Sequence, residues 1–291
     1  MTKADELRKR LAGEALLEVP CCSDALSAKL IAEAGFPATF MSGFAVSAAR
    51  LGMPDTGLIS FAEMRDQLAN ICAAVPGTIV MADGDTGYGN ALNAQRTVRE
   101  YARAGAACIM IEDQVSPKRC GHTQGKRVVD REEARLRVRA AVEAARECGI
   151  LVIARTDARA VLGMDEALDR CRAFQDEGAD IIFFEAPESE REMEAACRAV
   201  AQPMMANMVK GGKTPVLPAK RLFDIGYRLA VYPMVPFAAA IHAMQQSLKV
   251  MREGAGSAVP EASFEEIKRV AGFPEYYAME QRFAGPKDPA G

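Results

Sequence analysis

The sequence predicts an α/β protein of the (β/α)8 class, a TIM barrel. Three observations lead there. Eight apolar runs of strand length recur along the 291 residues, at 15–19, 38–42, 78–82, 107–111, 150–154, 181–185, 203–207 and 228–232. None shows the period-two alternation of a half-exposed sheet, so each reads as a strand covered on both faces. Helix-patterned stretches separate the runs, at 24–34, 61–73, 91–103, 131–147, 165–177, 188–199 and 218–225. Glycine often closes the helix before the next strand, at Gly35, Gly77, Gly105, Gly149, Gly178 and Gly226. There it supplies the left-handed conformation of a helix cap. Eight β-then-α units in this length favour a closed barrel over an open sheet.

Taken in order, the elements place polar groups at one end. The chain begins MTKADELRKRLAGEAL, an amphipathic charged helix without an apolar signal-peptide core. The first strand ends at Cys21 and Cys22, and the second runs into Ser42, Gly43 and Phe44. The third runs into DGDTGYGN, with Asp83 and Asp85 two apart. The fourth runs into Glu112, Asp113 and a cysteine loop, SPKRCGHTQGK, and the fifth into Arg155 and Asp157. The sixth ends at Glu185 and the seventh at Asn207. The opposite, helix-to-strand turns carry mostly Gly, Ala and Pro. Barrel enzymes build their sites at the C-terminal strand ends, so this asymmetry points to an enzyme. After the eighth strand come helices at 236–253, 263–270 and 274–282, then AGPKDPAG, which should be disordered. With no linker or composition shift, residues 1–291 read as one barrel domain with a helical extension from about 236.

Composition excludes several classes. The chain is 49% apolar and 26% charged, enough for a sizeable core, and a net charge of −3 gives no reason to expect nucleic acid or a membrane as partner. No apolar run approaches the ~18 residues of a membrane span. Eight scattered cysteines without a C-x-x-C pair suggest reduced thiols in a cytoplasmic protein. Only His122 and His242 are present, so a multi-histidine metal site is excluded.

Asp83, Asp85 and Glu112 form a carboxylate cluster on adjacent strands. Left alone, such charges repel and raise one another's pKa. A hard divalent cation resolves that, and oxygen ligands with water suit Mg2+, with Mn2+ as the alternative. The structural alternative is helix capping and ion pairing to Arg155. The glycines of DGDTGYGN match neither phosphate-loop pattern and are better read as allowing close backbone approach. In the cysteine loop, Lys118, Arg119, His122 and Lys126 surround Cys120. This is either a solvated basic turn or a segment that binds an anion and delivers a proton.

The strings MIEDQVSPKRCGHTQGK, DGDTGYGN, ARTDA and FFEAP together resemble the isocitrate lyase/phosphoenolpyruvate mutase superfamily, over about residues 15–250. The K-[KR]-C-G-H motif at 118–122 points to its carbon–carbon lyase branch, that of methylisocitrate lyase, 2,3-dimethylmalate lyase and petal death protein. The resemblance implies a barrel whose eighth helix is exchanged between subunits of a homotetramer, a dimer of dimers. It implies that Asp83 binds Mg2+ directly and that Asp55, Asp85 and Glu112 hold its waters. Ser42, Gly43 and Phe44 would receive a 2-oxoacid carboxylate on their backbone, and Arg155 would clamp it. Glu185 and Asn207 would add polar contacts. Cys120 would be the catalytic acid, Gly121 and His122 would complete an anion pocket, and Lys118 and Arg119 would add positive charge.

The implied reaction is retro-aldol cleavage of a 2-hydroxy acid. One product is a 2-oxoacid; the other leaves as an enediolate that needs positive charge and a proton. The base for the hydroxyl proton is unassigned. Phe40 stands where methylisocitrate lyases often have tyrosine, which leaves Tyr88 as a candidate. NMVKGGKTP at 207–215 and Ala238, in place of an arginine for a third carboxylate, point to a dicarboxylate of the 2-alkylmalate or dimethylmalate type. Val235 and Pro236, near where oxaloacetate hydrolases carry a hydroxyl, disfavour hydrolysis. The alternatives are a 2-methylisocitrate lyase, an oxaloacetate hydrolase or decarboxylase, and a dicarboxylate-binding barrel without turnover.

Overall fold

The computed structural model describes residues 1–121, 125–254 and 258–283. Eight parallel strands close in chain order. They are β1 (Leu17–Cys22), β2 (Ala38–Met41), β3 (Ile79–Asp83), β4 (Cys108–Glu112), β5 (Leu151–Thr156), β6 (Ile181–Phe184), β7 (Met204–Asn207) and β8 (Tyr227–Tyr232). Closure comes from β1 against β8, with Leu17 opposite Leu229 through Pro20 opposite Tyr232. The first strand lies later than the 15–19 expected, because Pro20 does not end it. Pro20 sits where pairing passes from β8 to β2, which begins at Cys21 opposite Phe40, so its missing N–H falls at the handover.

The helices of the barrel are α1 (Lys3–Leu11), α2 (Ala25–Glu33), α3 (Gly43–Val46), α4 (Phe61–Ala74), α5 (Ala91–Ala104), α6 (Arg131–Cys148), α7 (Arg159–Leu162), α8 (Met164–Asp176), α9 (Glu190–Ala199) and α10 (Ala219–Ile225). Most begin at a residue whose side chain accepts an early N–H, such as Asp24, Ser60, Asn90, Asp130 and Ser189. Five of the six expected glycines adopt positive φ; Gly77 does not, and α4 instead ends on Val75. The short α3, α7 and a π-helical turn at Ser47–Leu51 were not expected, since none is long enough to show a helical period.

The strands bury both faces. Inward, Cys21, Phe40, Met81, Met110, Ile153, Phe183, Met205 and Val231 fill the barrel, joined by Ala4, Leu7 and Leu11 of α1. Helix α1 therefore plugs the end opposite the strand tips, where Arg8 lies 3.5 Å from Asp180, just before β6. Outward, Val80, Ile109, Val152 and Phe184 meet Leu68, Ile71, Val98, Val138 and Phe174 of the surrounding helices. Each such side chain contributes roughly 1.5–3 kcal/mol on burial.

The chain divides into two units, Met1–Ala238 and Ala239–Gly291. The second takes most of α11 (Val235–Arg252), with α12 (Phe264–Ala271) and α13 (Phe273–Phe283). Its exposed apolar side chains include Met244, Leu248, Met251, Phe264, Ile267, Tyr276 and Phe283. The expected disorder of AGPKDPAG falls outside the described residues. No helix among those described is long and apolar enough to cross a membrane.

One buried polar network holds the ends of β4 and β5 together. Asp113 accepts from Thr156 Oγ1 at 2.6 Å, from the Asp157 N–H at 2.9 Å and from Arg170 Nη1 at 3.0 Å. Arg170, almost wholly buried on α8, also donates to the Val129 carbonyl at 2.8 Å. Removing one partner of a buried ion pair strands the other charge. Arg170→Met should therefore cost about 3–5 kcal/mol in urea unfolding. A loss below about 1 kcal/mol, typical of surface pairs, would show that the network does not anchor these strand ends.

Candidate active site

The strand ends gather most of the residues singled out in the sequence. A cavity of about 290 Å3 opens there. Its polar lining comprises Ser42, Asp55, Asp83, Lys118, Cys120, Gly121, Arg155, Glu185 and Asn207. Phe40, Phe44, Met110, Phe183, Met205, Val209, Val231, Pro233 and Met234 make an apolar wall.

The acids lie at the turns after β3 and β4. Asp85 donates its N–H to Asp83 Oδ1 at 3.0 Å, and Glu112 donates its N–H to the Asp85 carbonyl at 2.9 Å. Asp85 takes this position with φ +48°, a strained left-handed conformation for a residue with a side chain. Gly43 is needed beside them, because a Cβ there would lie 2.6 Å from Asp83 Oδ2. Asp55 comes from the loop after the π-helical turn. Burial, and then the neighbouring Asp85, push the Asp83 carboxyl up to about 6. Burial likewise pushes Glu112 well above the carboxylate range, only partly offset by Arg155. Glu112 Oε1 is buried with no hydrogen-bond partner.

Lys118 reaches into this cluster from the cysteine loop. Its Nζ lies 2.6 Å from Asp55 Oδ1 and 2.7 Å from Asp85 Oδ1. Burial works against its charge, but Asp85, Asp83, Asp55 and Glu112 together hold it protonated. Arg155 projects from β5 and pairs with Asp157 through Nε at 2.8 Å and Nη2 at 3.0 Å. It also lies 3.4 Å from Glu112 and from Glu185. Asn207 Nδ2 donates to Glu185 Oε2 at 3.3 Å. Asp157 is itself buried, yet Arg155 and Lys126 hold it at about 2.

Gly121 packs directly on this set. A Cβ there would meet Arg155 Nη2 at 2.5 Å and Glu185 Cδ at 2.7 Å, so only glycine lets the loop come this close. Other expectations fare differently. Arg119 is exposed and lines a separate polar cavity with Gln114 and Arg127, so its guanidinium is not brought to the acids. Val235 is exposed, and Pro233 and Met234 line the cavity in place of Val235 and Pro236. Ala238 is exposed and does not line the cavity. Tyr88 is not among the residues that line the cavity: its ring packs on Phe61, its hydroxyl lies 3.5 Å from that of Tyr101, and burial raises its pKa. His122 lies outside the described residues.

Sequence reading passed over Cys21, Lys126 and Asp157 as site residues. Cys21 lines the cavity, while Cys22 faces the outer helices. Burial, and then Cys22, keep the Cys21 thiol neutral. Asp157 carried a signal, being two residues from Arg155 and so on the same side of the strand end.

Whether a divalent cation fits can be judged from the charges. Asp55, Asp83, Asp85, Glu112, Asp157 and Glu185 face only Lys118, Lys126 and Arg155 among the described residues. An excess of buried acid remains, and Glu112 Oε1 has no hydrogen-bond partner. No three His, Cys, Asp or Glu side chains among the described residues are arranged to hold an ion unaided. The donor set therefore suits an ion that keeps several waters, as Mg2+ does.

The sequence profile described as phosphoenolpyruvate phosphomutase matches residues 7–252. The 2,3-dimethylmalate lyase of Eubacterium barkeri is 40% identical over 287 residues, 98% of this chain and 99% of that protein. The 2-methylisocitrate lyase of Bacillus subtilis is 38% identical, over 86% of this chain and 82% of its own. A crystal structure of oxaloacetate acetylhydrolase with 3,3-difluorooxalacetate superposes with a TM-score of 0.94 at 34% identity, covering 99% of each chain. The protein belongs to the phosphoenolpyruvate mutase/isocitrate lyase superfamily, on its carbon–carbon lyase side.

Proposed function

We propose that the protein is a Mg2+-dependent lyase that cleaves a 2-hydroxy dicarboxylate of the 2-alkylmalate or dimethylmalate type to a 2-oxoacid and a second carboxylate. The observation that carries this reading is the cavity itself. It sets buried acids and Arg155 opposite a thiol, under a wall of Phe, Met, Val and Pro side chains. Asp83 would hold the ion, with Asp55, Asp85 and Glu112 around it. Bound there, the ion supplies Lewis acidity toward the hydroxyl and carboxylate of the substrate.

The remaining roles belong to the chain. Arg155 and the Ser42–Phe44 backbone orient the carboxylate that becomes the 2-oxoacid. Glu185 and Asn207 make further polar contacts. As C2–C3 breaks, Lys118 and His122 stabilise the developing enediolate, and Cys120 donates its proton to C3. The described residues lining the cavity include only two cations, Lys118 and Arg155, each already facing carboxylates. Among the described lining residues that leaves no cation for a third carboxylate, and the apolar wall suits an alkyl substituent. Mn2+ would serve the same donors. The likeness to 2-methylisocitrate lyase and oxaloacetate acetylhydrolase makes 2-methylisocitrate and oxaloacetate the competing substrates. We also propose a cytoplasmic homo-oligomer, a dimer of dimers with exchanged helices, supported by the exposed apolar side chains of α11 to α13.

Three outcomes test this. A panel of malate, 2-methylmalate, 2,3-dimethylmalate, 2-methylisocitrate, isocitrate and oxaloacetate, with Mg2+, should give the highest kcat/KM for a malate derivative. Preference for 2-methylisocitrate, or oxalate and acetate as the main products from oxaloacetate, would overturn the assignment. Chelation should abolish turnover, and added Mg2+ should restore it and raise Tm; Asp83→Ala should lose both responses. Full activity in excess chelator would rule out the metal. Cys120→Ser, a far weaker acid of similar size, should lower kcat by about 10²–10⁴-fold while KM changes little. Near-normal kcat would show that the thiol is not the proton donor.

A further inference from the structure

The backbone is gripped on both sides of Cys120. Before it, the buried Gln114 side chain clasps the Arg119 backbone: Nε2 donates to the Arg119 carbonyl at 2.8 Å, and Oε1 accepts from the Arg119 N–H at 2.9 Å. After it, the buried Lys126 Nζ donates to the Gly121 carbonyl and, at 2.8 Å, to Asp157 Oδ1. Between the two, the Cys120 N–H donates to the Asp55 carbonyl at 3.2 Å.

We propose that Gln114 and Lys126 are positioning residues that form a two-point latch, setting the reach of the Cys120 thiol over the substrate cavity. The proposal rests on the reading of Cys120 as proton donor. The chemistry of each residue suits the task. A carboxamide carries both a donor and an acceptor, so it can hold the two successive peptide units that meet at Arg119 at once; an ionised carboxylate could only accept. Lys126 joins the loop to Asp157, whose two oxygens also bind Arg155. One buried carboxylate thus sets both the arginine that clamps the substrate and the loop that carries the acid. Through Asp157, the distance between those two groups is held by buried hydrogen bonds. Arg119 enters the latch through its backbone N–H and carbonyl.

The test uses Gln114→Ala, Gln114→Glu and Lys126→Met, each alone and combined with Cys120→Ser. Turnover is measured on the best substrate of the panel with Mg2+. Iodoacetamide labelling of Cys120 is measured in the presence of Mg2+ and oxalate, with the site read by peptide mass. Misplacement of a reacting group by about 1 Å costs on the order of 10²-fold, so kcat should fall by about 10- to 10²-fold in Gln114→Ala and Lys126→Met. KM should change by less than about threefold, because the carboxylate clamp keeps its own partners. Labelling of Cys120 should rise several-fold. In the Cys120→Ser background neither change should lower kcat further, since the latch acts through the thiol. Losses that multiply in the double variants, or singles with unchanged kcat and labelling, overturn the latch. Near-normal kcat in Cys120→Ser overturns the acid reading instead, and the labelling rates then still decide whether the latch holds the loop. Should Lys126→Met fail to fold, isosteric Gln114→Glu carries the test, with an expected kcat loss and labelling gain in the same direction.

Discussion

The constraint on which the rest depends is a surplus of buried acid at one end of the barrel. Asp55, Asp83, Asp85 and Glu112 are nearly inaccessible to water, and Lys118 is the cation set between two of them. Buried charge of one sign is costly unless paired, and Lys118, with Arg155 beside Glu112 but shared with Asp157 and Glu185, cannot neutralise all four carboxylates. The protein alone meets this by raising pKa values, Asp83 to about 6. A divalent ion meets it better. The same imbalance explains local strain: Asp85 at φ +48° and the side-chain-free Gly43 are tolerated because they bring backbone and carboxylates close together.

The acid surplus also bears on the thiol. A cysteine among cations should lose its proton early, which is wrong for a general acid. Here Lys118 is matched by Asp55 and Asp85, Lys126 by Asp157, and Arg155 by Asp157, Glu112 and Glu185. Arg119 is turned to the outside. Among the described residues, Lys118, Lys126 and Arg155 are therefore each matched by buried carboxylates. Read in isolation, the loop is basic. Folded, its described cations Lys118 and Lys126 complete ion pairs with Asp55, with Asp85 after β3 and with Asp157 after β5.

How much of this was legible in the sequence follows from length scale. Strands buried on both faces leave unbroken apolar runs, so all eight were visible, and the polar residues that end them were visible by position. Asp83, Glu112 and Arg155 needed no structure to be noticed. The short helices α3 and α7 escaped because four residues show no period. Pro20 hid the true extent of β1 because its effect depends on which neighbour pairs there. Ala238, Val235 and Pro236 were set against relatives by counting along the chain. The residues that line the cavity are Pro233 and Met234, a shift that one turn of backbone geometry is enough to cause. Arg119 and Lys126 looked alike as loop cations; burial separates them, and burial is a property of the fold. Tyr88 likewise could not be placed from sequence: its hydroxyl lies beside that of Tyr101 and it is not among the residues that line the cavity.

Lyase and hydrolase relatives share this barrel, so the acids and Arg155 alone do not decide the outcome of bond cleavage. Phe44, Val209, Pro233 and Met234 line the cavity and carry no side-chain hydroxyl that could orient water, although Ser42 in the same lining does. An apolar wall excludes water from a reactive enediolate, and the proton must then come from a fixed donor. The thiol can serve only if it stands at the right place without a hydration shell to guide it. If Cys120 is the proton donor proposed above, the hydrogen bonds that join Gln114 to the Arg119 backbone and Lys126 to the Gly121 carbonyl would set where the thiol stands.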